Sequence, residues 1–426
     1  MLYERWRQIA RERAGECALR ELATGRQWTF AQMARLVEDE TPAPQPLVFP
    51  QGHDAEFVLA VLRAWRDQAV VCPIESDQTP PPVLNLPPSP CIHLKTTSAT
   101  TGAARFVAFT AEQITADAEN IVTTMGLRPD WPNLAVISLA HSYGFSNLVS
   151  PLLLHGIPLF IAPSPLPDIL RQAVQRAATP ALTLPAVPAL WRAWHNAGVI
   201  PPTVRQAISA GAPLPLALES QVFAATGIKI HNFYGSSECG GIAYDHSALP
   251  RTDECFVGHA MRQVDLRVGE SGCLEVRSKA VGETYWPQPS GELQQGCFQT
   301  SDLAELIDGQ VHLRGRLADL INVAGRKISP TVIERELLKH DRVAECLCFG
   351  VPSADADRAE EIVACVVAKS PVTGEELKQF LLRNMPAWQI PRAWWFVESL
   401  VENQRGKISR AQWRQEFLAW KRSGRC

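Results

Sequence analysis

Residues 91–230 constrain the fold most strongly, because short apolar runs alternate there with helical stretches. The helical stretches are 112–124, 166–177, 186–197 and 214–226, and apolar runs of strand length separate them. Apolar strands that alternate with amphipathic helices are typical of a mostly parallel sheet buried between helices. The sequence therefore predicts an α/β fold with a mostly parallel sheet at its centre.

The sequences on either side of residues 91–230 indicate how the rest of the chain is organised. Residues 1–73 mix helical and strand patterns, and residues 79–90 hold six prolines, which predict an exposed connector. Residues 255–315 change to short, turn-rich strands and predict a small β-rich subdomain. The chain then resumes as a compact α+β unit. We predict a large N-terminal domain over residues 1–316 and a small C-terminal domain over 317–426.

Composition narrows the class of protein. The chain has 426 residues, 46% of them hydrophobic and 20% charged, with a net charge of −3. This composition is typical of a globular protein, and the charge offers no field that would attract nucleic acid. No apolar run is long enough to span a bilayer, and the eleven cysteines include no C-x-x-C pair. We therefore expect a cytoplasmic protein without a membrane span, a nucleic-acid partner or a zinc site.

A hydroxyl-rich loop follows the strand that ends at Lys95. Hydroxyl groups and backbone N–H groups next to a glycine and a cation can bind a polyphosphate. The alternative is a Ser/Thr-rich surface turn. No G-x-x-x-x-G-K-[ST] motif occurs in the chain. The residues predicted to bind phosphate are Thr97, Ser98, Thr100, Thr101, Gly102 and Arg105.

A second block combines an aromatic residue, small residues, a hydroxyl group and an acid. A purine needs an aromatic face on one side and close backbone on the other. Ser237 can donate to a phosphate, and Glu238 is a hard oxygen ligand suited to Mg²⁺. A tight turn with a structural acid is the alternative. The other residues predicted to bind the nucleotide here are Gly211, Ala212, Pro213, Asn232, Tyr234 and Gly235.

Three more charged residues complete the pattern. Asp302 and Arg316 flank a short hairpin-like segment, where a carboxylate and a guanidinium can grip the hydroxyls of a ribose. Lys407 lies in a glycine-containing turn near the C-terminus. Taken alone, each of these charges is more often simply solvated.

Together these blocks resemble the adenylate-forming superfamily, which includes acyl- and aryl-CoA synthetases, adenylation domains of nonribosomal peptide synthetases, and luciferases. The resemblance runs from about residue 1 to residue 420, and the blocks occur in the order of that superfamily. They are T-S-A-T-T-G-A-A-R from Thr97 to Arg105, Y-G-S-S-E from Tyr234 to Glu238, T-S-D ending at Asp302, G-R-L-A-D from Gly315 to Asp319, the segment from Gly325 to Glu334, and the lysine at Lys407.

The resemblance implies two half-reactions. A carboxylate attacks the α-phosphorus of ATP and releases pyrophosphate, and the acyl group then passes to a thiol. The resemblance implies catalytic roles for Lys407, Ser237 and Glu238, with Mg²⁺ on Glu238. It implies that the C-terminal domain is mobile, with a hinge at Ala318 or Asp319, and that Gly325 lines a thiol tunnel. The implied cofactors are ATP, Mg²⁺ and either CoA or phosphopantetheine.

The residues 138–146 match the segment that lines the acyl pocket in the superfamily. Amino-acid-activating relatives carry an aspartate about where Ser142 stands, so an aryl or fatty acid is expected in place of an amino acid. His141 is interpreted as a pocket gate, with a satisfied structural histidine as the alternative. The residues assigned to the acyl pocket are His141, Ser142, Phe145, Ser236, Gly240 and Gly241.

Some positions depart from the superfamily pattern. Ala99, Ala104 and Arg105 replace glycine, proline and lysine in the phosphate loop, and Ala318 replaces the usual hinge residue. Only residues 74–96 separate the strand that ends at Pro73 from the phosphate loop, so the resemblance implies a shortened first subdomain in the N-terminal domain. We expect an acyl-CoA synthetase. One alternative is a ligase for an acyl carrier protein, which could dock on the C-terminal basic residues unless these only form a solvated helix face. The other alternative is a non-catalytic nucleotide-binding relic. Those basic residues are Arg405, Arg410, Arg414, Lys421, Arg422 and Arg425.

Overall fold

The computed structural model describes residues 1–42, 45–81, 85–97, 105–353, 359–400 and 409–423. The chain forms two compact units. The first comprises Met1–Arg267, Glu275–Gln299 and Leu306–His312, and the second comprises Val268–Leu274, Thr300–Glu305 and Leu313–Cys426. The predicted domain boundary between residues 316 and 317 stays a prediction, as does the shortened first subdomain.

Helices and strands alternate through the first 316 residues. The helices are α1 (Leu2–Glu12), α2 (Phe30–Glu38), α3 (Ala55–Arg66), α4 (Ala111–Met125), α5 (Ser142–Gly144), a π-helical turn (Phe145–Val149), α6 (Ser150–His155), α7 (Pro167–Ala177), α8 (Pro188–Asn196) and α9 (Leu216–Thr226). The strands up to β11 are β1 (Cys17–Glu21), β2 (Gln27–Thr29), β3 (Leu47–Val48), β4 (Val70–Val71), β5 (Cys91–Thr96), β6 (Phe106–Thr110), β7 (Asn133–Ala135), β8 (Leu159–Ile161), β9 (Leu182–Ala186), β10 (Val204–Ser209) and β11 (Ile230–Ser236). Those that follow are β12 (Gly240–Tyr244), β13 (Phe256–Ala260), β14 (Val264–Val268), β15 (Cys273–Ser278), β16 (Thr284–Trp286), β17 (Leu293–Gln294), β18 (Cys297–Ile307) and β19 (Gln310–Arg316).

The larger sheet of the first unit has a parallel centre. Strands β11, β10, β9, β7, β8 and β1 are neighbours in that order and run parallel. Strand β2 is antiparallel to β1 at one side, and β12 and β13 continue the other side in antiparallel pairs. Strand β9 is buried along its whole length, as expected for a parallel strand between helices. The predicted α/β class is confirmed.

Helices α7, α8 and α9 cover this sheet through apolar residues. Leu170 on α7, Trp191 and Trp194 on α8, and Leu218 on α9 belong to one buried cluster with Leu184 of β9. The apolar residues recur at helical spacing in the sequence, and that spacing is what directs these side chains onto the sheet. The predicted helices from residue 112 to residue 226 are therefore confirmed.

A second sheet holds the strand that precedes the hydroxyl-rich loop. Strands β3, β4 and β5 are parallel, and β6 and β16 continue the sheet in antiparallel pairs. Strand β16 comes from the region predicted as a β-rich subdomain, which does contain the short strands β13 to β19. One strand of that region thus joins a sheet built from residues near the N-terminus.

Threonine caps begin two of the helices in the first unit. The Oγ1 of Thr110 accepts a hydrogen bond from the backbone N–H of Gln113 at 3.3 Å, and the Gln113 side chain accepts one from the Thr110 N–H at 2.8 Å. Thr29 and Gln32 make the same reciprocal pair at the start of α2. Such a capping box stabilises a helix by about 1 kcal/mol.

The second unit contains the predicted α+β elements. Its elements after Arg316 are a 3₁₀ turn (Leu317–Asp319), β20 (Ile321–Val323), β21 (Arg326–Ile328), α10 (Pro330–Leu338), β22 (Val343–Pro352), β23 (Glu360–Ala368), α11 (Gly374–Leu382), a 3₁₀ turn (Ala387–Gln389), β24 (Ala393–Phe396) and α12 (Arg410–Arg422). Strand β22 is antiparallel to β23, which is parallel to β24. The α+β character predicted for the chain after residue 316 is therefore confirmed.

One helical region was not predicted, and a second was predicted only as the alternative to a docking patch. The segment from Ser142 to His155 is helical, although its first residues were interpreted only as a pocket lining. Helix α12 buries Trp413 and Phe417 in a cluster with Phe349 and Val363 of the small sheet. Within the described ranges of the chain, no helix combines the length and apolar composition needed to cross a membrane.

Candidate active site

Ser237 connects three segments that are far apart in sequence. Its Oγ lies 3.1 Å from the Oγ of Ser142 and donates a 3.3 Å hydrogen bond to the carbonyl oxygen of Thr96. Thr96 ends β5 just before the hydroxyl-rich loop, and Ser142 begins α5. The segments predicted to bind phosphate and the acyl group therefore meet the Y-G-S-S-E segment within hydrogen-bonding distance.

Thr97 and Arg105 form the base of the hydroxyl-rich loop. The backbone nitrogen and the Oγ1 of Thr97 both donate to the carbonyl oxygen of Arg105, at 2.9 and 2.8 Å. These bonds continue the pairing of β5 with β6 beyond the last ladder residues. The other residues predicted to bind phosphate, which are Ser98, Thr100, Thr101 and Gly102, lie outside the described residues.

The predicted purine corner lies at the carboxyl ends of two neighbouring parallel strands. Ser209 at the end of β10 is opposite Asn232 of β11, and β11 continues beyond this point to Ser236. Ligands of open parallel sheets bind at the carboxyl ends of the strands. Gly211 begins the corner with a φ of 84°, a conformation that favours glycine. The corner Gly211–Pro213 is exposed and Tyr234 is half-buried.

Asn232 and Gly235 have clear structural roles here. Asn232 is buried, and its Nδ2 donates to the carbonyl oxygen of Val257 at 3.1 Å. A Cβ on Gly235 would lie 2.6 Å from the carbonyl oxygen of Gly240, so the turn between β11 and β12 needs glycine at this position. Their roles in nucleotide binding stay predictions.

Glu238 presents a half-buried carboxylate at the end of this turn. Its backbone N–H donates to Ser236 Oγ at 3.2 Å, and its carbonyl oxygen accepts from the Gly282 N–H at 2.8 Å. The hydroxyl group of Tyr285 donates to Glu238 Oε1 at 3.3 Å. Burial raises the pKa of Tyr285, and Glu238 raises it further, so the phenol keeps its proton.

The donor set around Glu238 fits Mg²⁺. This cation commonly takes one or two protein carboxylates and completes its shell with water and substrate phosphates. Among the described residues, no group of three His, Cys, Asp or Glu side chains could hold a metal by itself. A single carboxylate near the predicted phosphate loop is therefore the arrangement that would suit a cation brought in with ATP, as the resemblance implies.

The acyl segment, residues 138–146, which is predicted to line the acyl pocket, is ordered by local contacts. The Nδ1 of His141 accepts the backbone N–H of Tyr143 at 3.2 Å, which starts α5. Gly144 approaches the preceding chain so closely that a Cβ would lie 1.9 Å from the carbonyl oxygen of Ser138. Phe145 is buried and its ring centroid lies 4.4 Å from that of His93. Phe145 thus faces a buried histidine that the sequence analysis did not single out.

Glycines at the other predicted pocket positions permit close packing. A Cβ on Gly240 would lie 2.0 Å from Asp117 Oδ1, and one on Gly241 would lie 2.4 Å from the sulfur of Met261. The Oγ of Ser236 lies 3.3 Å from Cys239 Sγ. Ser236, Gly240 and Gly241 therefore lie together at one turn, and Ser142 contacts that turn through Ser237. Contact of these residues with an acid stays a prediction.

A buried charged network beneath this turn was missed. Lys95 Nζ donates to Asp117 Oδ2 and to Ser146 Oγ, both at 3.0 Å, and Ser146 Oγ donates to Asp117 Oδ2 at 2.6 Å. Asp117 Oδ1 accepts the backbone N–H of Gly241 at 3.2 Å. The network ties β5, α4 and the helical acyl segment to β12. Its sequence signal was a lysine in an apolar strand and an aspartate on the apolar face of a helix.

The predicted ribose-binding pair lies in the second unit. Arg316 Nε donates to Asp302 Oδ1 at 3.0 Å, and the Asp302 N–H donates to Thr300 Oγ1 at 3.1 Å. Strands β18 and β19 are neighbours, and the turn between them has positive φ at Asp308 and Gly309. The predicted hairpin is confirmed, and it brings the carboxylate and the guanidinium together.

The hinge residues Ala318 and Asp319 lie in the 3₁₀ turn of the second unit. Arg410 donates to Asp319 Oδ2 at 3.1 Å, to both oxygens of Glu334 at 2.6 and 2.7 Å, and to the carbonyl oxygen of Cys348 at 3.2 Å. The turn is therefore anchored to α10 and α12. Hinge motion at Ala318 or Asp319 stays a prediction.

Gly325 forms a tight turn between β20 and β21. It and Ala324 have φ values of 79° and 50°, and nothing lies within 4 Å of a Cβ built on Gly325. Backbone conformation, and not crowding, accounts for glycine at this position. Lining of a thiol tunnel by Gly325 stays a prediction, and Lys407 lies outside the described residues.

Several C-terminal basic residues have acidic partners in their own unit. Besides Arg410, Arg414 lies 3.5 Å from Glu360, and Lys421 lies 3.1 Å from Glu361. These pairings favour the interpretation of a helix face over that of a docking patch for a carrier protein. Arg405 and Arg425 lie outside the described residues.

Comparison with known proteins identifies the family. The sequence profile of the AMP-binding enzyme family matches residues 31–290, and that of the AMP-binding enzyme C-terminal domain matches residues 332–407. The chain belongs to the AMP-binding enzyme family. The resemblance to adenylate-forming enzymes is thereby confirmed. The two family profiles together cover most of the chain of this AMP-binding enzyme.

Curated relatives of this AMP-binding enzyme include CoA-dependent enzymes. A feruloyl-CoA synthase from Amycolatopsis sp is 25% identical over 344 residues, covering 75% of this chain and 69% of the relative. A 2-succinylbenzoate–CoA ligase from Bacillus cereus is 28% identical over 340 residues, covering 75% of this chain and 68% of the relative.

Solved structures share the fold of this AMP-binding enzyme. ATP-bound MatB from Rhodopseudomonas palustris has a TM-score of 0.84 at 19% identity, covering 98% of this chain and 99% of that chain. The o-succinylbenzoate CoA synthetase MenE from Bacillus subtilis, in complex with its acyl-adenylate intermediate, has a TM-score of 0.77 at 19% identity, covering 96% of this chain and 97% of that chain. At this level of identity the likeness establishes the fold.

Proposed function

We propose that this AMP-binding enzyme uses ATP to activate an aryl or fatty carboxylic acid as an acyl-adenylate and then transfers the acyl group to CoA. The position of Ser237 carries the proposal. Its side chain lies between Ser142, in the acyl segment, and Thr96, at the base of the phosphate loop. An acid and a polyphosphate that react with each other must be bound by neighbouring residues of this kind.

The predicted enzyme class is confirmed. The curated relatives include proteins named feruloyl-CoA synthase, long-chain-fatty-acid–CoA ligase and 2-succinylbenzoate–CoA ligase. These names support an AMP-forming acid–thiol ligase. Because they name different acids, we propose the acid used by this chain from its own residues.

In the first half-reaction, a carboxylate oxygen of the acid bonds to the α-phosphorus of ATP, and the bond from that phosphorus to the bridging oxygen breaks. Pyrophosphate leaves with the electron pair. Two anions must approach each other, so the protein has to orient them and neutralise charge. We assign charge neutralisation to Arg105 and cation binding to Glu238. Thr97 closes the base of the phosphate loop, and the hydroxyl of Ser237 would leave the carbonyl oxygen of Thr96 to donate a hydrogen bond to a phosphate. Mg²⁺, when bound, supplies further positive charge at the phosphates.

The acid is assigned from the side chain at residue 142. An α-ammonium group would need a buried carboxylate partner, and Ser142 offers a hydroxyl group that already contacts Ser237. Phe145 and the glycines at residues 240 and 241 add apolar surface and close backbone. These features support an aryl or fatty acid without a free amino group.

In the second half-reaction, a thiolate attacks the acyl carbon and AMP leaves with the electron pair. CoA is the acceptor we propose. Three of the basic residues that could dock an acidic carrier protein, Arg410, Arg414 and Lys421, are engaged by acids of their own unit. Free CoA needs no protein-docking surface.

Exchange of labelled pyrophosphate into ATP tests the first half-reaction. We expect acid-dependent exchange with aryl or alkyl acids and none with amino acids. Ser237→Ala should lower the exchange rate about tenfold, because a hydroxyl that binds a charged group is lost. Ser164→Ala is the matched control, since the hydroxyl of Ser164 only caps an exposed turn.

Addition of CoA or of a phosphopantetheine-loaded carrier protein tests the second half-reaction. Thioester and AMP should form with CoA. Faster transfer to the carrier would replace CoA as the acceptor. Absence of exchange across a broad panel of acids, in a chain that still binds ATP, would establish the nucleotide-binding relic and overturn the proposal.

A further inference from the structure

Tyr285 contacts two residues of the proposed machinery at once. It lies on β16 and is 4% exposed. Its hydroxyl group donates to Glu238 Oε1 at 3.3 Å, and the guanidinium carbon of Arg105 lies 3.5 Å from the centre of its ring. One side chain therefore joins the carboxylate proposed to bind Mg²⁺ to the cation that ends the phosphate loop.

The guanidinium of Arg105 is held from its edge as well as from its face. Its Nη2 donates to Ser290 Oγ at 3.0 Å and lies 3.5 Å from Glu292 Oε2. A planar guanidinium can stack on an aromatic ring while its N–H groups bind in the ring plane, and an ammonium cannot do this. The arginine that departs from the superfamily lysine is thus matched to the tyrosine beneath it.

The strand that carries Tyr285 is itself fixed to both partners. Tyr285 is opposite Val107 in the pairing of β16 with β6, two residues beyond Arg105. The Gly282 N–H donates to the carbonyl oxygen of Glu238 at 2.8 Å. Tyr285 can therefore set the orientation of both side chains from a rigid position.

We propose that Tyr285 is a positioning residue that aligns Arg105 with the leaving pyrophosphate and Glu238 with the magnesium ion of the bound nucleotide. The inference rests on the proposed function. Its ring presents the guanidinium flat, so that the remaining N–H groups face the phosphates. Its hydroxyl group holds Oε1 of Glu238 and fixes the rotation of the carboxylate. The two parts of one side chain then act on two different ligands.

Separate substitutions test the two parts. Tyr285→Phe keeps the ring and removes the hydroxyl, whereas Tyr285→Leu removes both, and Arg105→Lys removes the stack while keeping the charge. Binding of α,β-methylene-ATP is measured by calorimetry at limiting and at saturating Mg²⁺, so that the readout does not depend on turnover. Pyrophosphate exchange then gives KM for ATP and kcat.

The hydroxyl variant should affect the cation. Tyr285→Phe should raise the Mg²⁺ concentration at half-saturation about tenfold, because a hydrogen bond to a charged group is lost, and nucleotide affinity at saturating Mg²⁺ should stay near that of the parent chain. The ring variants should affect the phosphates. Arg105→Lys and Tyr285→Leu should each weaken nucleotide binding about fivefold at saturating Mg²⁺, and the double variant should be no weaker than either.

Two control variants remove similar groups elsewhere. Tyr244→Phe removes a buried phenol hydroxyl that is bonded to Gln206, and Arg128→Lys disrupts a stack on Trp131. Both should leave Mg²⁺ dependence and nucleotide affinity unchanged. Unchanged Mg²⁺ dependence in Tyr285→Phe, or additive losses in the double variant, would overturn the inference while exchange activity still supports the proposed function. Loss of binding and exchange in the parent chain would overturn both.

Discussion

Removal of one partner from the network of Lys95 and Asp117 should destabilise the first unit severely. The two side chains are 2% and 4% exposed, and their charged atoms lie 3.0 Å apart. Lys95→Met leaves the Asp117 carboxylate buried without a counter-ion. Loss of one member of a buried ion pair costs about 4 kcal/mol.

The double variant Lys95→Met with Asp117→Leu should recover part of that loss. It removes both charges together, and a buried ion pair replaced by apolar residues of similar volume is close to neutral. The N–H of Gly241 and the hydroxyl of Ser146 lose their acceptor, however, which costs about 2 kcal/mol. The free energy of unfolding of the double variant should therefore be about 2 kcal/mol lower than that of the parent chain, and higher than that of Lys95→Met.

Urea unfolding followed by tryptophan fluorescence measures the effect. The parent chain, both single variants and the double variant are compared with Arg171→Met, which breaks an exposed ion pair with Asp168 and should leave the midpoint unchanged. A midpoint for Lys95→Met that equals that of Arg171→Met would refute the reasoning, because it would show that the network carries no buried charge. Equal losses in the single and double variants would refute the compensation.

Three further predictions concern packing, pH and catalysis. Gly144→Ala should lower the free energy of unfolding by about 3 kcal/mol or more, because its Cβ would overlap the backbone at Ser138, while Gly15→Ala has open space and should be neutral in the same urea assay. Burial lowers the pKa of His155 to about 4, so the folded chain keeps a neutral imidazole that the unfolded chain protonates; stability should fall by about 3 kcal/mol between pH 6.5 and 4, and His155→Phe should flatten that dependence in urea titrations. Lys407→Ala should nearly abolish pyrophosphate exchange yet preserve thioester formation from a synthetic acyl-adenylate; equal loss in both assays would remove Lys407 from adenylate formation.

The sequence predicted the regular elements well where periodicity and capping agree. Helix α4 has a threonine cap, a reciprocal glutamine and a terminal glycine at residue 126, and its predicted range is within a residue of the observed one at each end. Strand β9 is mostly apolar, with Thr183 as its polar residue, and is buried throughout. Such elements are specified by their own residues, so local patterns are sufficient to predict them.

The helical acyl segment was missed because tertiary contacts specify it. The residues from Ser142 to His155 include a proline and a glycine, which lower local helix propensity, and the helix begins where His141 accepts the N–H of Tyr143. The π-helical turn at Phe145–Val149 depends on side chains buried against other elements. No short-range pattern indicates such a helix.

Some residues of the candidate site could be identified from sequence motifs, and others could not. Ser237, Glu238 and Arg105 were found because a block of neighbouring residues marks each of them. Lys95 and Tyr285 were missed, since each acts through a partner distant in sequence: Asp117 is 22 residues from Lys95, and Glu238 is 47 residues from Tyr285. A single sequence does not reveal which distant charges or rings pair.

The clasp between Thr97 and Arg105 has a consequence for engineering. Two hydrogen bonds to one carbonyl oxygen hold Thr97 beside Arg105. The two positions that flank residues 98–104 are therefore fixed next to each other, at the end of β5 and the start of β6. We expect that residues 98–104 can be exchanged without a change in the register of β5 and β6, because that register is set by the pairing of the two strands themselves. Variants of residues 98–104 that differ in hydroxyl, alanine and glycine content could thus be compared while the flanking strands stay the same.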